Sequence, residues 1–170
     1  MSDVTERGGF VFFWHGWPSQ WHPAAFTLDG AVYLCAEQFM MAEKARLFGD
    51  EETRARILAA TSPREHKALG REVKGFDSAR WTEVCREVVY RGNVAKFAQN
   101  ADLAALLLAT GERTLAEASP TDRIWGIGLA ANDARATDPS GWKGKNWLGE
   151  ALMRVRGEMS GARSSPPSPP

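Results

Sequence analysis

The groups able to do chemistry in this chain are few, and their spacing sets them apart. Glu37 and Lys44 bracket the stretch Glu37-Gln-Phe-Met-Met-Ala-Glu-Lys44, which continues as Ala-Arg-Leu-Phe48. It contains no Gly, Pro or β-branched residue and reads as a helix. At helical spacing Glu37, Met41, Lys44 and Phe48 share one stripe, and Ala36, Met40, Glu43 and Leu47 share another. The first stripe sets a carboxylate and an ammonium two turns apart, with Cα atoms about 10 Å from each other. That is too far for an i,i+4 surface pair and suits a small polar ligand lying between them. The plain alternative is a partly exposed helix with unrelated surface charges. A further carboxylate, Asp122, lies in Asp122-Arg-Ile-Trp125-Gly126, where it could also simply close an Asx turn. Lys143, Lys145 and Asn146 crowd into Lys143-Gly-Lys-Asn146, which could face phosphate or ribose but lacks P-loop spacing. Trp81 and Trp125 offer flat faces to a heterocycle, although Trp81 also falls on an apolar stripe that suits a core. Acid, base, ammonium and stacking surfaces together suit a nucleoside-like ligand.

These groups need elements to position them. Phe10–Trp14 reads as a short apolar strand, followed by a Gly- and Pro-rich loop to Pro23. Phe26–Leu28 and Ala31–Leu34 flank Asp29-Gly30, a strong hairpin signal. The hairpin runs straight into the Glu37 helix, so Glu37 sits on a first turn, where the helix dipole favours its ionised form. Gly49 closes that helix and Asp50 can start the next, over Glu51–Ala59. Ser62-Pro63-Arg-Glu65 is a capping box with Pro at the first helical position, opening a helix that fades by Gly70. A turn at 74–78 precedes the longest helix, from Ser78 to about Asn100, with Trp81, Val84, Cys85, Val88 and Ala95 on its apolar face. Gly92 inside it marks a close helix contact. Asp102 is expected to cap Leu103–Ala109, and Leu115–Ala118 to form a short strand. Stretches 119–128 and 138–146 read as loops, and long loops in a compact domain tend to bind. Asn146 caps a last helix with Leu148, Leu152, Val155 and Met159 on its core stripe. The expected layout is a frayed N-terminus at 1–9, a single domain at 10–159, and a disordered Ser/Pro tail at 160–170.

Composition narrows the class. The chain has 170 residues, 44% hydrophobic and 25% charged, with formal net charge zero. That is an ordinary globular balance with no global electrostatic attraction to nucleic acid or membrane. Two cysteines, Cys35 and Cys85, and no signal-like leader point to a reduced, cytoplasmic setting. His15, His22 and His66 stand at no metal-ligand spacing with them, so no metal site is expected. No apolar run is long enough to span a bilayer. The unusual feature is tryptophan, present seven times, with several copies beside Gly, Asp or Asn in loop-like sequence.

At these residues the chain resembles the NADAR (YbiA-like) domain family. The matching pieces include Pro18-Ser-Gln20-Trp21, Ala36-Glu-Gln-Phe-Met-Met-Ala-Glu-Lys44, Gly70-Arg leading to Trp81, and Lys96-Phe-Ala-Gln-Asn100. They continue with Leu106–Gly111, Leu115–Gly128 and Gly144-Lys-Asn-Trp-Leu-Gly-Glu-Ala-Leu-Met153, in order over nearly the whole chain. Gln20 departs from the family, in which many relatives carry Asn. The resemblance implies a mainly helical α+β fold, an orthogonal helical bundle with a small antiparallel β element near the N-terminus. It implies an N-glycosidase that cuts the bond between ribose C1 and an exocyclic amine. The family's substrates are phosphoribosylamino-pyrimidine intermediates of riboflavin synthesis and ADP-ribose attached to guanine in nucleic acid. No cofactor is implied, a monomer is expected, and ADP-ribosylated DNA or RNA stands among the candidate partners.

On that reading Glu37 stabilises charge developing at C1, with Asp122 helping, since cleavage needs a carboxylate near C1 and a group to handle the proton. Lys44 either holds phosphate or attacks the opened sugar aldehyde as a Schiff-base nucleophile. Gln20, Trp21, Trp81, Trp125, Gly126, Lys143, Lys145 and Asn146 would bind substrate. A non-catalytic reader of ADP-ribose or nucleotide is the alternative, and the acid–base set disfavours it.

Overall fold

The structure is a computed structural model and describes residues 3–164. The chain, expected as a single domain, divides into two compact units: Gln20–Ala101, and a unit made of the residues up to Ser19 together with those from Asp102 onward.

In the Gln20–Ala101 unit, β1 (Phe26–Leu28) and β2 (Ala31–Tyr33) pair antiparallel with Phe26 opposite Tyr33. Asp29 and Gly30 both have positive φ, 50° and 79°, as a tight hairpin with matching twist requires. Gln99 donates to the Thr27 carbonyl and accepts from its N–H, both at 2.8 Å, so a side-chain amide stands in for another strand on that edge. Four helices follow: α1 (Ala36–Leu47), α2 (Glu51–Ala59), α3 (Pro63–Arg71) and α4 (Ser78–Ala98). The starts of α2 and α3 were legible in their caps. Asp50 accepts from the Thr53 amide, Ser62 and Glu65 close a complete capping box, and Asp77 accepts from the Arg80 amide. Phe26, Tyr33 and Phe39 pack as an aromatic cluster. Helix α1 is central, buried on nearly every face, so neither of its stripes is a solvated surface. The close contact expected at Gly92 is with Phe39, whose Cδ1 would stand 2.7 Å from an added Cβ.

In the other unit, β3 (Val4–Arg7) and β4 (Phe10–Phe13) pair antiparallel, and β4 pairs in parallel with β5 (Thr114–Glu117), giving the order β3-β4-β5. The expectation that residues 1–9 fray is corrected for Val4–Arg7. That polar segment forms an edge strand whose backbone completes the ladder, and Arg7 donates to the Ala131 and Asp133 carbonyls, each at 2.9 Å. Central β4 is wholly apolar, and its Phe12 packs with Ala116, Ile127, Leu129 and Ala136. Helix α5 (Ala101–Ala109) starts earlier than expected, placing Asp102 in its first turn. Two short 3-10 turns, Ala134–Thr137 and Pro139–Gly141, interrupt what read as loop. Helix α6 (Trp147–Ser164) buries Leu148, Leu152 and Val155. The tail expected to be disordered from 160 is therefore helical through Ser164, and the rest of that expectation lies outside the described residues. The architecture is mainly helical α+β, as expected. Among the described residues no helix is long and apolar enough to cross a membrane.

Candidate active site

In the Gln20–Ala101 unit the start of α1 is pinned from several sides. The Glu37 amide donates to the Gln20 carbonyl at 2.9 Å, and the Gln20 side chain accepts from Asn93 Nδ2 at 2.8 Å. Gln20 Nε2 also lies 3.9 Å from Met40 Sδ. Gln20, proposed from sequence to bind substrate, thus spends its amide anchoring α1 to α4. Cys35 precedes the helix, with its Sγ 3.6 Å from His66 Nδ1, while His66 Nε2 lies 3.0 Å from the Ala60 carbonyl. A carbonyl only accepts, so Nε2 carries the proton and Nδ1 receives the Cys35 thiol. Burial raises the Cys35 pKa, which keeps it a thiol rather than a nucleophilic thiolate.

Glu37 is buried, at 7% exposure, and lies on the same stripe as Lys44. Lys44 is half-buried. Its Nζ donates to the Gly70 carbonyl at 2.7 Å and stands 4.1 Å from the centre of the Phe76 ring. Burial pushes the Lys44 pKa below its ordinary value, the charge of Arg71 adds to that, and Glu37 opposes it. Phe48, next on the stripe, packs edge-on against Phe76 at 5.4 Å.

Trp81 is partly buried at the start of α4. It lines a cleft of about 260 Å³ with Glu43, Leu47, Val88 and Arg91. Glu43, from the other stripe of α1, is nearly fully buried and takes both prongs of the Arg46 guanidinium at 2.9 and 3.0 Å. Trp21 is 38% exposed, with Lys67 Nζ 5.7 Å from its ring. Lys96, in the Lys96-Phe-Ala-Gln-Asn100 stretch, is fully buried in α4, where burial pushes its pKa down to about 7. A lysine in the last turn of a helix reads as a solvated cation, and no local pattern marks this one as buried.

In the other unit Asp122 turns inward on its own loop. Its Oδ1 accepts from the amides of Ile124 and Trp125, both at 2.8 Å, and of Gly126 at 3.5 Å. That is the Asx-type closure set beside the catalytic reading above. Gly126 has no space for a side chain, since a Cβ would stand 2.8 Å from the Glu117 carbonyl oxygen. Trp125 packs edge-on against Trp147 at 5.8 Å, and Lys145 Nζ lies 4.6 Å from the centre of the Trp147 ring. Lys143 and Lys145 are exposed. Asn146 is buried, with φ 55°, and its side chain accepts from the Glu117 amide at 3.0 Å and donates to the Leu115 carbonyl at 2.9 Å. Its backbone carbonyl receives the Glu150 amide at 3.0 Å, but its side chain staples β5 instead of capping α6. Among the described residues no group of three or more His, Cys, Asp or Glu could hold a metal ion.

The NADAR domain model matches residues 12–160. The chain belongs to the NADAR domain family. An N-glycosidase of Acanthamoeba polyphaga mimivirus is 46% identical over 145 residues, spanning 82% of this chain and 85% of that one. The N-glycosidase YbiA of Escherichia coli is 33% identical over 159 residues, spanning 94% of this chain and 86% of that one. The NMR structure of YbiA has a TM-score of 0.76 to this NADAR chain at 28% identity, covering 95% and 90% of the two. A riboflavin biosynthesis protein of Vibrio vulnificus is 31% identical, spanning 85% of this chain but 36% of its own length.

Proposed function

We infer that this chain is a hydrolase of N-glycosyl bonds, on the strength of its family and of relatives named N-glycosidases. Its substrate is proposed to be a nucleotide-like N-glycoside in which ribose C1 carries an exocyclic amine. The observation that carries the site assignment is the Glu37–Lys44 stripe on a buried helix, with Lys44 held at a carbonyl and its pKa lowered by burial.

In the proposed mechanism Glu37 is the carboxylate near C1. Its negative charge stabilises the cation that develops at C1 as the bond from C1 to the ring oxygen breaks. The ring oxygen leaves with that electron pair and takes a proton to become a hydroxyl, and C1 becomes an iminium to the substrate amine. The neutral Lys44 amine adds to C1, a proton passes to the substrate nitrogen, and that amine leaves with the electron pair of its bond to C1. The resulting Lys44 imine takes up water, which releases the sugar aldehyde and restores the lysine. A depressed pKa favours this route, because only the unprotonated amine attacks.

Asp122 is proposed as the second carboxylate, its Oδ1 holding the loop while Oδ2 handles a proton. Trp81 and Trp125 are proposed stacking surfaces, and Lys143 and Lys145 proposed phosphate ligands. Gln20, Gly126 and Asn146 act by shaping the segments that carry them. Two substrates are set against each other: a phosphoribosylamino-pyrimidine, which the riboflavin-named relative favours, and guanine-linked ADP-ribose in DNA. Incubating the purified chain with each and separating the products tests the proposal. Release of the free amine from one substrate is expected, and intact recovery of both would overturn it.

A further inference from the structure

Phe76 is 45% exposed, yet it is not loosely held. It lies between α3 and α4 in a short connection tied at both ends. The Lys74 amide donates to Asp50 Oδ2 at 2.8 Å, and Lys74 Nζ reaches Glu52, also at 2.8 Å. Asp77, next to Phe76, caps α4 through the Arg80 amide at 2.8 Å. Gly75, with φ 70°, makes the bend that turns the ring back toward α1. There it meets Phe48 at 5.4 Å and an interplanar angle of 68°, and it lies 4.1 Å from Lys44 Nζ. An anchored aromatic ring facing a half-buried ammonium is more than residual surface hydrophobicity.

We propose that Phe76 is a positioning residue for Lys44, closing one side of its ammonium from water and directing Nζ to the Gly70 carbonyl. Two opposed effects follow from one ring. As a cover it removes solvent from Nζ, which favours the neutral amine. As a π surface it attracts the cation. The other charged groups near this cluster are Glu37 on α1, Arg71 at the end of α3 and Arg80 on α4, the last lying 5.9 Å from the Phe48 ring. Met41 fills the side toward α3, packed against Gly70. Lys44 Nζ is thus bounded by a carbonyl and a ring.

This proposal rests on the reading of Lys44 as a reacting group, so its first test uses no substrate. The full chain is labelled with acetic anhydride across a pH series, and the Lys44 peptide is quantified by mass spectrometry for wild type, Phe76→Leu and Phe76→Ala. Leucine keeps the cover and lacks the π surface, so Phe76→Leu lowers the apparent pKa of Lys44 by about half a unit. Phe76→Ala removes the cover, and the limiting labelling rate at high pH rises several-fold. Wild-type labelling in both variants would overturn the proposal. The second readout is steady-state cleavage. Phe76→Ala lowers kcat with KM little changed, and Phe76→Leu restores most of it. Faster labelling of Phe76→Ala with an unchanged kcat would overturn the positioning role. A wild-type chain that cleaves neither substrate overturns the functional reading instead, and leaves the labelling result intact.

Discussion

Lys44 Nζ reaches the Gly70 carbonyl at 2.7 Å because residue 70 has no side chain. A Cβ there would collide with Met41 Sδ and stand 2.9 Å from its Cγ, and Met41 is itself buried. Helix α3 can lie this close to α1 only through glycine. The first expectation concerns Gly70→Ala: a loss of about 1–3 kcal/mol of stability through overpacking. The carbonyl that holds Lys44 should shift with it. Chemical denaturation and the Lys44 labelling rate check the two parts separately.

Glu37→Gln keeps the shape of the side chain and removes its charge. If the carboxylate acts mainly on the transition state, kcat should fall by at least about a hundredfold while substrate binding stays within about tenfold. A variant that retains wild-type kcat removes Glu37 from the mechanism.

Much of this was legible locally. The hairpin at Asp29-Gly30, the capping box at Ser62 and the bounds of α2 follow from short-range rules, and the structure keeps them. What escaped is tertiary. Val4–Arg7 has a polar sequence and becomes a strand because β4 offers it a backbone edge. Asn146 looks like a helix cap, yet its side chain is drawn to β5, about thirty residues earlier in the chain. Nothing near Lys96 in sequence tells that α4 buries it. Glu37 and Lys44 were legible because a helical period links them; Phe76 was not, because its contact with Lys44 is made across a turn between two other helices.

Asn146→Ala deletes both bonds to β5 at a position with positive φ. A loss of about 2–4 kcal/mol is expected, from two net hydrogen bonds and from replacing asparagine, which tolerates the left-handed backbone, by alanine, which does not. Asn146→Gly should recover the backbone part alone. Equal stability of the two variants would show that conformation contributes nothing.

Lys96 predicts how stability depends on pH. Its pKa is about 7 in the folded chain and near 10.5 when unfolded. Between those values the unfolded state binds more protons, so stability rises with pH. Below pH 7 the lysine is charged in both states and the burial penalty is fully present. Lys44 acts in the same direction, while the raised Cys35 thiol opposes it only near and above pH 9. Denaturant melts from pH 6.5 to 8.5 should show rising stability in wild type and a flatter profile in Lys96→Met. Parallel profiles would place the buried charge elsewhere.

The most direct test of the covalent mechanism is reductive trapping. Borohydride added during turnover should leave a sugar adduct on the Lys44 peptide of the wild-type chain. Lys44→Arg, which keeps the charge but forms no imine, should give neither adduct nor product. An active Lys44→Arg chain with no adduct on any lysine would contradict the account.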